Sequence, residues 1–156
     1  TKDREEFFGE IVNNKMHLSK IGEIVQKYWL EILNHFPFIG LDEFIIMPNH
    51  VHGIVNIKNV IPHVETQNFA SLQQAKPIKS QNKFGPQSKN LASIIRGFKI
   101  GVKKYATIHK IDFTWQSRFY DHIIRNEKSF YYIRKYIKEN PINWKDDRNN
   151  SEDLWI

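Results

Sequence analysis

Residues 43–57, EFIIMPNHVHGIVNI, constrain the chain more than any other stretch. Two β-branched, apolar arms, FIIM and GIVNI, flank Pro48 and Asn49. Proline has no N–H for a sheet ladder, so the stretch reads as a strand, a short irregularity at the proline and a second strand. That second strand carries His50 and His52. Residues i and i+2 of a strand share a face, which lets both imidazoles meet one metal ion. Taken alone, such a pair is more often two histidines on a half-exposed strand.

The flanking patterns supply the rest of the architecture. Residues 7–12 (FFGEIV) read as a strand, followed by a turn at Asn13 and Asn14. Ser19 is placed to cap a helix running to about Phe36, with Ile21, Ile24, Val25, Tyr28, Ile32 and Leu33 on one face. Pro37 ends it. Residues 58–90 have no period and are dominated by Gln, Lys, Ser, Asn, Pro and Gly, the composition of a long mobile loop. Residues 91–106 form an amphipathic helical pattern on Leu91, Ile94, Ile95, Phe98, Val102 and Tyr105. Residues 113–125 (FTWQSRFYDHIIR) read as one or two strands, and 127–139 as a helix closed by Asn140 and Pro141. A polar tail occupies 148–156. The reading is one domain over 1–147, without internal repeats. Its class is α+β, a mainly antiparallel sheet covered on one face by helices.

Composition narrows the function classes. The 156 residues are 40% apolar and 13% aromatic, enough for a packed core. There is no cysteine, which excludes a disulfide scaffold, a thiolate zinc site and a cysteine nucleophile, and fits a reducing compartment. The net charge of +6 favours a nucleic-acid partner, since each neutralised phosphate releases a counterion. Arg96, Lys99, Lys103 and Lys104 lie largely off the apolar stripe of their helix. They form either a track for a DNA backbone or a solvated face. Trp115, Phe119 and Tyr120 are candidates for stacking on bases, although core packing suits at least two of them. No run of about 18 apolar residues is present, so no membrane span is expected.

Tyr136 and Asn140 stand at i and i+4 and share a helical face, which Tyr132 extends. Phe130, Ile133 and Ile137 make the packing stripe. His17, His35, His63 and His109 show no pairing and read as surface residues, and His122 as a strand residue outside any metal site.

The strings MPNHVH, WQSRFYDHIIR and YIKENP follow one another in this order. Through them the chain resembles the single-tyrosine HUH transposases over residues 8–144, most of all the REP-associated tyrosine transposases. The resemblance implies a ferredoxin-like (RRM-like) antiparallel sheet. It implies a metal-dependent endonuclease that nicks and rejoins single-stranded DNA at hairpin or palindromic sites through a 5′-phosphotyrosine. On this pattern His50 and His52 bind a divalent metal, Asn140 completes the metal site and Tyr136 is the nucleophile. The cofactor expected is Mg²⁺ or Mn²⁺. With two imidazoles and an amide as neutral ligands, the site should hold metal weakly until a DNA phosphate adds its charge. The expected partner is single-stranded or hairpin DNA, with Arg118 and Arg125 joining the basic residues named above. No membrane partner is expected, the state is monomer or homodimer, and the setting is the bacterial cytoplasm. Two features depart from the pattern. The family has a further strand before FFGEIV, and the loop at 58–90 is longer than expected. A non-cutting hairpin binder of the same fold, and a hydrolase using water with a structural Tyr136, are the competing readings.

Overall fold

Ile39–Ile46 (β3) and Val51–Ile57 (β4) pair antiparallel across Pro48 and Asn49. The hairpin closes where the Met47 N–H donates to the His50 carbonyl at 2.8 Å. Its ladder slips once, between Leu41 and Phe44, leaving Asp42 and Glu43 in a bulge. The structure, a computed structural model, describes residues 1–58, 90–147 and 149–150. The expected loop at 58–90 therefore lies, apart from its two end residues, outside the described residues, as does most of the tail.

A second hairpin precedes the first helix. Gly9–Val12 (β1) pairs with Lys15–Leu18 (β2), the latter not foreseen because its alternation of polar and apolar residues spans only four positions. Asn13 and Asn14 connect them with φ of 51° and 61°. Two consecutive left-handed residues match the right-handed twist of a tight hairpin, and asparagine tolerates that conformation well.

Lys20–His35 (α1) begins as the sequence predicts. The Ser19 side chain accepts from the Gly22 N–H at 3.2 Å, and its hydroxyl donates to the Phe7 carbonyl at 2.6 Å. One side chain thus caps the helix and fastens the preceding chain to it. Ile21, Val25, Trp29 and Ile32 are the buried face, with Trp29 in place of the expected Leu33, which is exposed. Leu91–Ile108 (α2) buries Ile94, Phe98, Val102 and Ala106 against the same core. Glu127–Glu139 (α3) is capped by Asn126 and buries only Ile137.

Three expectations require correction. The described strands form two separate two-stranded sheets rather than one sheet. Residues 113–125 are not a strand, because side chains of α2 and Trp115 lace their first part to that helix. Lys103 Nζ donates to the Phe113 carbonyl and Lys99 Nζ to the Gln116 carbonyl, while Trp115 Nε1 donates to the Lys99 carbonyl at 3.0 Å. Phe113 is fully buried and packs with Phe7, Phe8 and Trp115. Those carbonyls and rings are committed to α2 and the core, and the segment follows the helix instead of a ladder.

The third is the expected cover on one face of the sheet, because α1 and α3 take different faces of the β3–β4 hairpin. Gly53 faces Trp29 of α1 so closely that a Cβ there would lie 2.3 Å from the indole Cζ2. His52, the preceding residue, points the other way and meets Tyr136 of α3, with ring centroids 5.3 Å apart. No helix among the described residues is long and apolar enough to cross a membrane. Gly53→Ala forces Trp29 to shift, and the loss in stability should be about 1–3 kcal/mol, as for overpacking generally. Urea unfolding checks this; an unchanged midpoint would mean that the indole moves freely.

Candidate metal and tyrosine centre

The site is built on the turn that joins β3 to β4. Asn49 sits in that turn, buried, with its side-chain Nδ2 donating to the Arg4 carbonyl at 3.0 Å and the Asn149 carbonyl at 2.7 Å. With both amide hydrogens used, its Oδ1 is the acceptor for His50 Nδ1, 2.8 Å away. A proton fixed on Nδ1 leaves Nε2 of a neutral His50 with its lone pair available for a ligand. His50 Nε2 lies 2.9 Å from His52 Nε2, so the two ring nitrogens address the same point. Both rings are half-buried, and Trp144 stacks beside His50 at 5.9 Å between centroids.

α3 brings in the tyrosine. Its edge meets His52, and its hydroxyl donates to Asp147 Oδ2 at 3.3 Å. Tyr136 remains 48% exposed, so its phenol is open to a large substrate. One turn on, Asn140 is only 1% exposed and closes the helix. Its Nδ2 donates to Asp147 Oδ2 at 3.4 Å, whereas its Oδ1 is buried without a hydrogen-bond partner. Such an orphaned carbonyl costs about 1–3 kcal/mol, a cost removed by any ligand that accepts its lone pair.

Asp147 was not foreseen from the sequence. It follows the short 3₁₀ turn Trp144–Asp146, and its Oδ1 accepts from the Asn149 N–H at 2.7 Å. Asn150, buried, returns its N–H to the Asp147 carbonyl at 2.8 Å and its amide to the Trp144 carbonyl at 3.2 Å. The start of the expected polar tail is therefore part of the site. Burial by itself would raise the Asp147 carboxyl. The Asn149 N–H, the charge of His50 and the amides of Asn140 and Asn149 outweigh it and hold the group below its ordinary value. The nitrogens of His50 and His52 and an oxygen of Asp147 lie within 4.8 Å of one another, a group that can hold a metal ion. A partner this local to the tail carries no sequence signal beyond its proximity to YIKENP.

The residues expected to bind DNA are dispersed. Arg96 and Lys104 are exposed on α2, and Arg118 and Arg125 on the segment before α3. Lys99 and Lys103 each give a donor to a backbone carbonyl, and Lys99 also lies 5.6 Å from the Trp115 ring centre. Burial lowers the pKa of Lys99. These two are structural fasteners first. Trp115 packs on the core, whereas Phe119 and the 87%-exposed Tyr120 do not.

α3 is placed by the buried Ile137 together with two ion pairs to the β3 bulge. Arg134 and Lys138, one turn apart, reach the two carboxylates of the β3 bulge. Arg134 Nε lies 2.7 Å from Asp42 Oδ1, a charge contact whose N–H direction misses hydrogen-bond alignment, and the guanidinium covers the Phe130 ring. Lys138 Nζ lies 3.2 Å from Glu43 Oε2. Tyr136 stands between these two anchors on the helix.

Together these residues make a centre of two imidazoles, a carboxylate and an amide beside an exposed tyrosine. The chain is 40% identical over 149 residues to an uncharacterized protein of Haemophilus influenzae, a match covering 94% of this chain and 79% of that protein. It belongs to the same family as that protein. No family model matches the chain, and no solved structure matches it.

Each half-exposed ion pair holding α3 is worth at most about 1 kcal/mol. Asp42→Lys should therefore lower stability by about that amount and Arg134→Glu by a similar amount. The double exchange should recover most of the loss, as read from urea midpoints in a double-mutant cycle. A coupling below about 0.2 kcal/mol would make the contact incidental.

Proposed function

We propose that the protein is a metal-dependent single-stranded DNA transesterase of the HUH transposase type, built on a ferredoxin-like arrangement. The observation that carries this reading is the exposed Tyr136 hydroxyl set against the His50, His52 and Asp147 group. The resemblance of MPNHVH and YIKENP to that family supports it. Nucleophile and ligand group come from elements far apart in the chain. Their meeting is a stricter condition than the presence of either motif.

The donor set fits a divalent ion, with His50 and His52 as ligands through Nε2 and the buried Asn140 Oδ1 in need of a partner. When bound, Mg²⁺ or Mn²⁺ supplies charge that polarises a phosphate oxygen and stabilises the transition state. Imidazole ligands suit Mn²⁺ better than Mg²⁺. The chain's own residues do the rest. Asn49 fixes the ring of His50. α3 presents the Tyr136 Oη to the phosphorus of a single strand lying across the two rings. The new bond joins Oη to phosphorus, and the bond to the 3′ oxygen breaks. That oxygen leaves as a hydroxyl, its proton balancing the one lost by the phenol. The phosphoester is retained as a 5′-phosphotyrosine, so the reverse attack by a 3′-hydroxyl rejoins a strand without ATP.

Tyr136→Phe should bind single-stranded hairpin DNA as wild type does and form no denaturation-resistant adduct. His50→Ala should reduce adduct yield with Mn²⁺ by at least about tenfold, the usual scale for a metal-site residue, with a much smaller effect on melting temperature. Labelled hairpin oligonucleotides on denaturing gels read both variants. Binding by wild type without any adduct under either metal would favour the non-cutting hairpin binder, and nicking by Tyr136→Phe would favour water as nucleophile.

A further inference from the structure

Asp147 is bonded to the wrong partners for a simple structural role. Its Oδ1 is fixed by the Asn149 N–H at 2.7 Å, a short and well-made contact. Its Oδ2 takes two long ones, from the Tyr136 hydroxyl at 3.3 Å and from Asn140 Nδ2 at 3.4 Å. Bonds of that length are weak even to a carboxylate, whose normal contacts are near 2.5–2.9 Å. One oxygen is tied firmly to its own turn and the other is loosely held, and a carboxylate oxygen of Asp147 lies within 4.8 Å of the ligand nitrogens of both histidines.

Asn140 gives an independent indication. It is almost wholly buried, and its Oδ1 has no hydrogen-bond partner while its Nδ2 is turned to Asp147. A buried amide oxygen left without a donor is one place where a bound ion supplies the missing partner, and the Asp147 carboxylate stands beside the nitrogen of the same amide. His50, His52 and Asp147 already converge within 4.8 Å.

We propose that Asp147 is the anionic ligand of this centre, and that it exchanges its hydrogen bonds with Tyr136 and Asn140 for the ion when metal binds. The set is then two imidazole nitrogens, the Asp147 carboxylate and the Asn140 amide oxygen. One negative charge from the protein changes the electrostatics from those of an all-neutral ligand set. The ion is held before any DNA phosphate arrives, and its capture of Asp147 takes that acceptor away from the Tyr136 hydroxyl. Metal loading and availability of the tyrosine are thereby linked through one carboxylate. The metal-binding part stands independently of the DNA reaction; the link to the nucleophile rests on the transesterase reading.

The test is calorimetric titration of the DNA-free protein with Mn²⁺ alone. Wild type should bind, and Asp147→Asn, nearly identical in shape, should bind at least about tenfold more weakly, since even supporting groups around metals cost 10–100-fold. Asp147→Ser serves as a second neutral variant, and thermal melts establish that each is folded. Tyr136→Phe should bind Mn²⁺ at least as tightly as wild type, because it removes a competitor for Oδ2. Equal affinity in wild type and both Asp147 variants, or no binding by wild type without DNA, overturns the proposal. The two readings separate cleanly. Mn²⁺ bound through Asp147 with no DNA adduct sinks the transesterase and leaves the ligand assignment. Adduct formation by a protein whose Mn²⁺ affinity ignores Asp147 does the reverse.

Discussion

The buried side chain of Asn49 has three hydrogen bonds, and the site depends on all of them. Two hold carbonyls from opposite ends of the described chain, at Arg4 and Asn149, and the third orients His50. A buried amide is tolerable only when its donors and acceptor are satisfied, so these contacts are strongly coupled. The turn brings the chain ends to the histidines, and the ends in turn fix the histidine ring. Asp147, two residues before Asn149, comes to the centre on the same attachment.

The hairpin separates two kinds of packing. On one face Trp29 lies against Gly53 and Phe98, an aromatic contact that admits little movement. On the other, α3 buries Ile137 and is otherwise fixed by Arg134 and Lys138 on the carboxylates of the bulge. A helix so held keeps a polar, solvent-reachable face, and Tyr136 occupies it. An apolar attachment of the same helix would have required a wider buried stripe, at the expense of an exposed tyrosine beside the imidazoles.

Local signals were legible where they act over a few residues. The Ser19 cap, the Asn13–Asn14 turn and the limits of α3 follow from side chains that bond or bend their own neighbourhood. The His-x-His pair and Tyr136 with Asn140 were also legible, since strand and helix periodicity fix which residues share a face. Residues 113–125 misled for the complementary reason. Their β-branched and aromatic content predicts a strand, but Lys99, Lys103 and Trp115 bind the segment to α2, and such a contact leaves no periodic trace.

The sequence by itself therefore determined the elements and the two half-sites, because periodicity and capping are properties of short stretches. Tertiary structure decided that α3 lies on the face of the hairpin opposite α1, and that His52 meets Tyr136 there. It also decided that Asn49 and Asp147 belong to the centre. Hydrogen bonds between residues as far apart in sequence as Asn49 and Asn149 are governed by how the surfaces pack, not by spacing along the chain.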